Sequence, residues 1–487
     1  MSDAFETVIG LECHVELSTA TKMFCGCPNA FGAAPNTNVC EVCLGHPGSL
    51  PVPNERAIEY TIRIGLALGC DVAPRSLFHR KNYFYPDMPK NFQISQYDLP
   101  LCVGGALELE VGGELRRVGI TRVHLEEDTG KTTHAGATGR IAQADYALED
   151  YNRAGVPLVE IVSEPDMRTP EEAAAYVREL RATLEALGVS DVRMEEGSMR
   201  CDANVSVRPT GSEGLGTKVE IKNLNSIRSV ERALRFEEER QRGVLGGGGS
   251  LVQETRHWDE NAGRTSPLRS KEYAFDYRYF PEPDLPPVEP DPAWIDEIRA
   301  SLPELPRERR ARYVADLGLD SRRAAALTAS RDLGELFEET RGLLPGVEPG
   351  VVANWITQNV AALVNEGGVT IEDARGQAKD VARVVELVAD GSISATAGKE
   401  VLAESLAGRR SPDDIVEERG LRQVSDEGAL GPVIDEVIAE HPGPVEQFRA
   451  GKEGVLGFLV GQVMKRTRGA ANPRLVQDLL RRRLAGG

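Results

Sequence analysis

Between Pro281 and Pro292 six of twelve residues are proline, interleaved with Glu and Asp. Proline fixes φ and has no N–H to donate, so this stretch is stiff, extended and unable to join a helix. It reads as a domain linker. Before it, the runs LELEVGG, RRVGITRVHLE, VPLVEIV, ANVSVRP and TKVEIKNL have the composition and alternation of strands. After it, apolar residues recur at helical spacing through Trp294, Ile298, Leu317, Leu327, Leu336, Trp355, Val384 and Leu387. A chain of 487 residues is too long for one core. The expected fold class is α+β, with a mainly antiparallel-sheet domain over 1–290 and an all-α domain over 293–408. The breakers from Gly408 to Pro412 then open a small all-α tail domain over 409–487.

Several helix ends are marked. Thr169, Pro170 and Glu172 supply a cap, a first-turn proline and a capping-box partner, and Gly188 closes that helix. A second helix begins near Ser226. In the tail, Asp426 caps one helix and Asn472 with Pro473 caps another.

Chemistry concentrates near the amino end. In a strand over GLECHVE, Leu11, Cys13 and Val15 point one way and Glu12, His14 and Glu16 the other. That second face is an acidic ledge with one imidazole, suited to a divalent cation, or simply the wet face of a half-buried strand. Cys25, Cys27, Cys40 and Cys43 follow as C-G-C, twelve residues, then C-E-V-C. Four thiolates are the closed shell of a structural zinc. The first spacer is tighter than usual, His46 is near enough to replace a sulfur, and buried thiols or two disulfides are the alternatives.

Three later stretches share this polar chemistry. HLEEDTGK, from His124 to Lys131, ends a strand with three adjacent acids, including Glu126 and Glu127, that repel one another unless a cation intervenes. Glu160 sits among Leu158, Val159, Ile161 and Val162, where a carboxylate needs a partner, structural or metallic. RKNYFYPDMPKNFQISQYD combines Arg80, Lys81 and Lys90 with Tyr83, Phe84, Tyr85 and Phe92. Cations neutralise phosphate and flat rings stack bases, so a nucleotide or an RNA end suits this loop.

Other classes are excluded or localised. DTGKT lacks the first P-loop glycine, since Leu125 stands in its place. No apolar run is long enough to span a membrane and no leader is recognisable, so a soluble, cytoplasmic protein is expected. The net charge of -19 argues against indiscriminate nucleic-acid coating. Yet Arg449 to Gly487 carries nine Lys and Arg against two acids. Lys465, Arg466, Arg468, Arg481, Arg482 and Arg483 are therefore candidate RNA phosphate contacts, although a basic last turn also complements a helix dipole.

GLECHVE, RKNYFYPD, ISQYD, HLEEDTGK, PLVEIVSEPD, EEGSMRCDANVS, KNLNS, DYRYFPEPD and the later GFLVGQVMK with ANP together resemble the B subunits of tRNA-dependent aspartyl/glutamyl amidotransferases. The resemblance runs from the amino end to the last helix. It implies an ATP-dependent enzyme that phosphorylates the side-chain carboxylate of Glu or Asp on a mischarged tRNA and lets ammonia displace the phosphate. It further implies a first domain similar to glutamine synthetase and guanidino kinases, a YqeY-like tail that holds tRNA, and magnesium beside structural zinc. A glutaminase A subunit would supply ammonia, with a small C subunit completing a heterotrimer. Carried onto this sequence, Glu12, His14, one of Glu126 and Glu127, and Glu160 are the implied metal and catalytic cluster. Lys81 and Tyr83, with Lys90 nearby, are the implied nucleotide contacts. The rival reading is a zinc-containing tRNA-binding adaptor without chemistry, which leaves the convergent carboxylates unexplained.

Overall fold

The computed structural model describes residues 4–135, 144–270, 277–423, 426–467 and 470–485. It forms two compact units, Met1–Pro306 and Arg307–Gly487.

The first unit is built on a ten-stranded sheet. Across it the strands run Arg264–Ser270, Glu254–Asp259, Val219–Leu224, Met199–Pro209, Phe5–Glu16, Pro157–Ser163, Glu114–Glu127, Cys102–Val103 and Asp71–Val72, with Ala106–Val111 also paired to Glu114–Glu127. Val219–Leu224 and Glu254–Asp259 run parallel, because the helix Ile227–Gly246 carries the chain back between them. The other pairings described in this sheet are antiparallel.

Alternation along Phe5–Glu16 decides which face is dry. Leu11, Cys13 and Val15 are buried, and the helix Pro170–Leu187 covers them. Its Tyr176 is fully buried, and burial together with the neighbouring Cys13 and Cys201 thiols pushes its phenol up. Thr169 opens this helix by accepting a hydrogen bond from Glu172 N at 3.2 Å, and Gly188 closes it at φ +67°, a left-handed conformation open to glycine. Ile227–Gly246 is capped by Ser226 and buries Val230, Ala233 and Leu234. With one face so covered, Glu12, His14 and Glu16 project from the other. A second, three-stranded sheet of Phe280–Pro281, His79–Asn82 and Phe92–Ser95 stands beside that polar face.

The proline-rich stretch does not end the first core. Asp291 caps a helix over Pro292–Ala300 whose Ile298 is buried in the same apolar cluster as Ile9 and Leu11. The compact division therefore falls after Pro306, beyond the 290/293 boundary read from the prolines. In the second unit one apolar cluster runs from Tyr313 to Val416 and another from Leu430 to Leu484. Ile415 and Val416 lie on Pro412–Glu418, so the first of these clusters continues past the breakers that suggested a boundary at 409. Among the described residues no helix is long and apolar enough to cross a membrane.

Candidate active site

The polar face gathers its side chains by register. His14 is opposite Glu160 on the next strand, and Glu160 is opposite His124 on the strand after that. Glu126 follows His124 by two residues and so shares its face. His14 Nε2 lies 3.5 Å from Glu160 Oε2 and 3.9 Å from Glu126 Oε1. His124 Nε2 lies 3.3 Å from Glu160 Oε2 and 3.8 Å from Glu126 Oε2. Ser95 Oγ donates to Glu126 Oε2 at 2.9 Å, and Arg122 approaches Glu160 at 3.9 Å.

This group is electrostatically coupled. Burial opposes ionisation of Glu160, but His124 and His14 hold its carboxyl well below the usual range. Glu126 is lowered in the same way, against burial, by His124 and Lys81. Burial disfavours a charged His124, yet Glu160 and Glu126 raise it to about 9. Lys81 is half-buried, which opposes its charge, yet Glu126, Tyr279 and Glu160 keep it above its ordinary value. The result is a set of opposed charges on one sheet face, with His124, Glu126 and Glu160 buried and His14 and Lys81 half-buried.

One donor atom each from His14, Glu126 and Glu160 lies within 4.8 Å of the others, which suits a divalent cation. An imidazole with two carboxylates is a better fit for manganese or a similar ion than for magnesium bound directly, since magnesium prefers oxygen and retains water.

The other expected residues lie around this centre. Glu12 is on the same face, but its Oε1 accepts from Asn204 Nδ2 at 2.8 Å, and the residue lines a separate cavity of about 200 Å³ with Gly10, Ser163, Pro165 and Lys218. Glu127 points the opposite way from Glu126, as adjacent strand residues must. It forms an ion pair with Lys90 and accepts from Ile94 N at 2.8 Å. Lys90 is thereby occupied, and it packs so closely on Gly45 that a Cβ there would lie 2.4 Å from Lys90 Cγ. Tyr83 stacks on Tyr85, with ring centroids 5.9 Å apart. At the far end of the ledge burial and Asp128 raise Glu16 to about 8, while Arg200 bonds Asp128 at 2.7 Å.

Cys25, Cys27, Cys40 and Cys43 converge, with sulfurs within 4.8 Å of one another. All four are free thiols, and His46 is exposed. A zinc tetrahedron with Zn–S bonds of about 2.3 Å places sulfurs roughly 3.8 Å apart, and Cys40 and Cys43 are at 4.0 Å. A hydrogen bond from Cys25 lowers Cys43 to about 5 against the effect of burial. Cys40 N–H, at 3.1 Å, and the buried Lys22 add to the lowering. The donor set fits a closed structural metal site.

A family model described as the GatB/GatE catalytic domain matches residues 7–296, and one described as the GatB domain matches residues 335–484. Proteins named as the B subunit of aspartyl/glutamyl-tRNA(Asn/Gln) amidotransferase are 54% identical over 486 residues in Frankia casuarinae and 52% identical over 482 residues in Carboxydothermus hydrogenoformans. These alignments cover 99% of this chain, with 96% and 99% of the respective relatives. A third, from Moorella thermoacetica, is 53% identical over 480 residues, covering 99% of this chain and all of the relative. The chain belongs to the family of amidotransferase B subunits.

Most of the basic residues singled out in the tail are paired with carboxylates. Arg466 pairs with Glu436 and Glu440, Arg481 approaches Glu453, Arg482 approaches Glu427 and Arg483 pairs with Asp435. Lys465 is exposed and has no carboxylate in ion-pair range among the described residues. Arg468 lies outside the described residues. The site also contains His124, which sequence reasoning did not single out. Its signal was present, because His124 stands two residues before Glu126 in one strand and must share its face.

Proposed function

We propose that this chain is the kinase and transamidase subunit of an amidotransferase that converts Glu on glutamine tRNA, or Asp on asparagine tRNA, to the amide. The observation that carries this reading is the convergence of His14, His124, Glu126 and Glu160 on one sheet face in a chain of this family.

A carboxylate resists ammonia because its leaving group is poor. In the proposed sequence its oxygen attacks the γ-phosphorus of ATP, releasing ADP and forming an acyl phosphate. Ammonia then attacks the carbonyl carbon, phosphate leaves and the nitrogen loses a proton to give the amide. A bound divalent cation would neutralise the phosphate oxygens during the first step. Glu126, Glu160 and His14 are the residues that would hold it. His124 lies in ion-pair range of both carboxylates and balances their charge, Ser95 fixes Glu126, and the cationic Lys81 attracts the transferred phosphoryl group.

The remaining assignments follow the family. A glutaminase A subunit supplies ammonia, a small C subunit completes the heterotrimer, and the complex works in the cytoplasm. The helical domain and the tail hold the tRNA, and the four cysteines hold structural zinc. Substituting Glu126 with Gln in the assembled enzyme tests this reading. tRNA binding should persist while amide formation falls by at least about 100-fold, the scale set by loss of a preorganised charged group. Unchanged turnover in E126Q would refute the site.

A further inference from the structure

The small sheet beside the cluster carries an aromatic arrangement that neither the core nor the proposed cation chemistry accounts for. Tyr97 and Tyr279 are parallel, with ring centroids 4.3 Å apart and planes 6° from coincidence. They stand far apart in the chain, yet Tyr97 remains 57% exposed. A tyrosine pair left this open contributes little to a core, but it offers a flat surface at a defined place.

Both rings are held from behind. Gln96, next to Tyr97, is buried, and its Oε1 accepts from Leu125 N at 3.1 Å, tying the tyrosine to the strand that bears Glu126. On the other side, Asn82 Nδ2 donates to the carbonyls of Tyr277 and Arg278 at 3.0 and 2.8 Å. Arg278 is held at φ +44°, a left-handed conformation that a non-glycine residue adopts at a cost. This pinned turn places Tyr277 against Lys81, whose Nζ is 5.1 Å from the ring centroid, and Tyr279 against Tyr97. Tyr279 lies close enough to the cluster for Lys81, Glu126 and Glu160 to influence its phenol, which burial raises.

We propose that Tyr97, backed by Tyr279, is the stacking platform for the purine ring of the phosphoryl donor, with Lys81 beside it receiving the phosphates. The inference rests on the ATP-dependent reading above. It moves base recognition from Tyr83, which stacks on Tyr85, to a pair supplied by two distant stretches of chain. Aromatic stacking tolerates any flat base, so the platform supplies affinity for the nucleoside while Lys81 and the carboxylate–histidine group define the phosphate end.

The test measures ATP binding and aminoacyl-tRNA binding separately in the assembled enzyme, for the wild type, Y97A, Y97F and Y279A. Y97A and Y279A should weaken ATP binding at least about fivefold, the lower range for loss of one base–aromatic stack. Y97F, which keeps the ring, should stay within about twofold of wild type, and tRNA affinity should not change. Inorganic tripolyphosphate, which has no base, should bind Y97A and wild type alike. The proposal is overturned if Y97A binds ATP normally, and equally if only tRNA binding weakens, since the platform would then hold a nucleotide of the tRNA. A wild-type enzyme that binds no ATP would instead overturn the ATP-dependent reading itself, and this proposal with it.

Discussion

His14 and Glu160 face one another across adjacent antiparallel strands, with His14 Nε2 3.5 Å from Glu160 Oε2. Glu160 also receives His124, so one carboxylate serves two imidazoles and, with His14 and Glu126, forms the group that could hold a cation. E160Q keeps the shape and removes the charge. Amide formation should fall by at least about 100-fold, with manganese affinity falling alongside it. Steady-state transamidation and calorimetric titration with manganese check this, and normal activity in a folded E160Q enzyme would contradict it.

Lys90 and Glu127 form a pair whose side chains are only 8% and 3% exposed. K90M would strand a buried carboxylate, costing about 3–5 kcal/mol. K90M/E127Q should cost less than K90M alone, because the stranded charge is gone. Urea unfolding of the three proteins measures both effects. A loss below about 1 kcal/mol in K90M would mean that the pair is not buried in solution.

The sheet and the cysteine site were legible in the sequence because their signals are local. A period of two assigned His14 and Cys13 to opposite faces, and four cysteines in nineteen residues kept the thiols together, with His46 as a substitute ligand and disulfides still open. The same alternation required Glu126 and Glu127 to diverge, but local pattern alone did not say which would join His14. That depends on strand order and on the 14–160–124 register, which are tertiary facts. The Tyr97–Tyr279 stack was hidden for the same reason. Prolines mark where a helix can start, while Ile298 and Ile415 belong to apolar clusters that continue past them, a tertiary fact that local pattern does not carry.

The cysteine lobe predicts one zinc per chain. Mass-spectrometric metal analysis should find it in the wild type, and C25S or C43S should lose most of it. Hydrogen exchange should then rise over residues 20–50 and stay low in the Phe5–Glu16 strand. A wild-type protein with no zinc would contradict the site.

Ion pairing separates the basic residues of the tail. Arg466 already has Glu436 and Glu440, whereas Lys465 is exposed without such a partner among the described residues. K465E should therefore weaken tRNA binding more than R466E and lower the salt-dependence slope by about one. Filter binding over a range of salt concentrations decides it, and the reverse order would show that the Arg466 pairs open on binding.

In the reaction proposed for this chain, the carboxylate–histidine face supports phosphoryl transfer to an amino-acid side chain. The most direct measurement follows γ-labelled phosphate from ATP to Glu-tRNA in the assembled enzyme, with glutamine and ammonia withheld and a divalent cation present. A labelled acyl phosphate should appear in the wild type, convert to glutaminyl-tRNA when ammonia is added, and be absent in E126Q. Bound tRNA with ATP left intact in the wild type would contradict the claim and leave the chain as a tRNA-holding subunit.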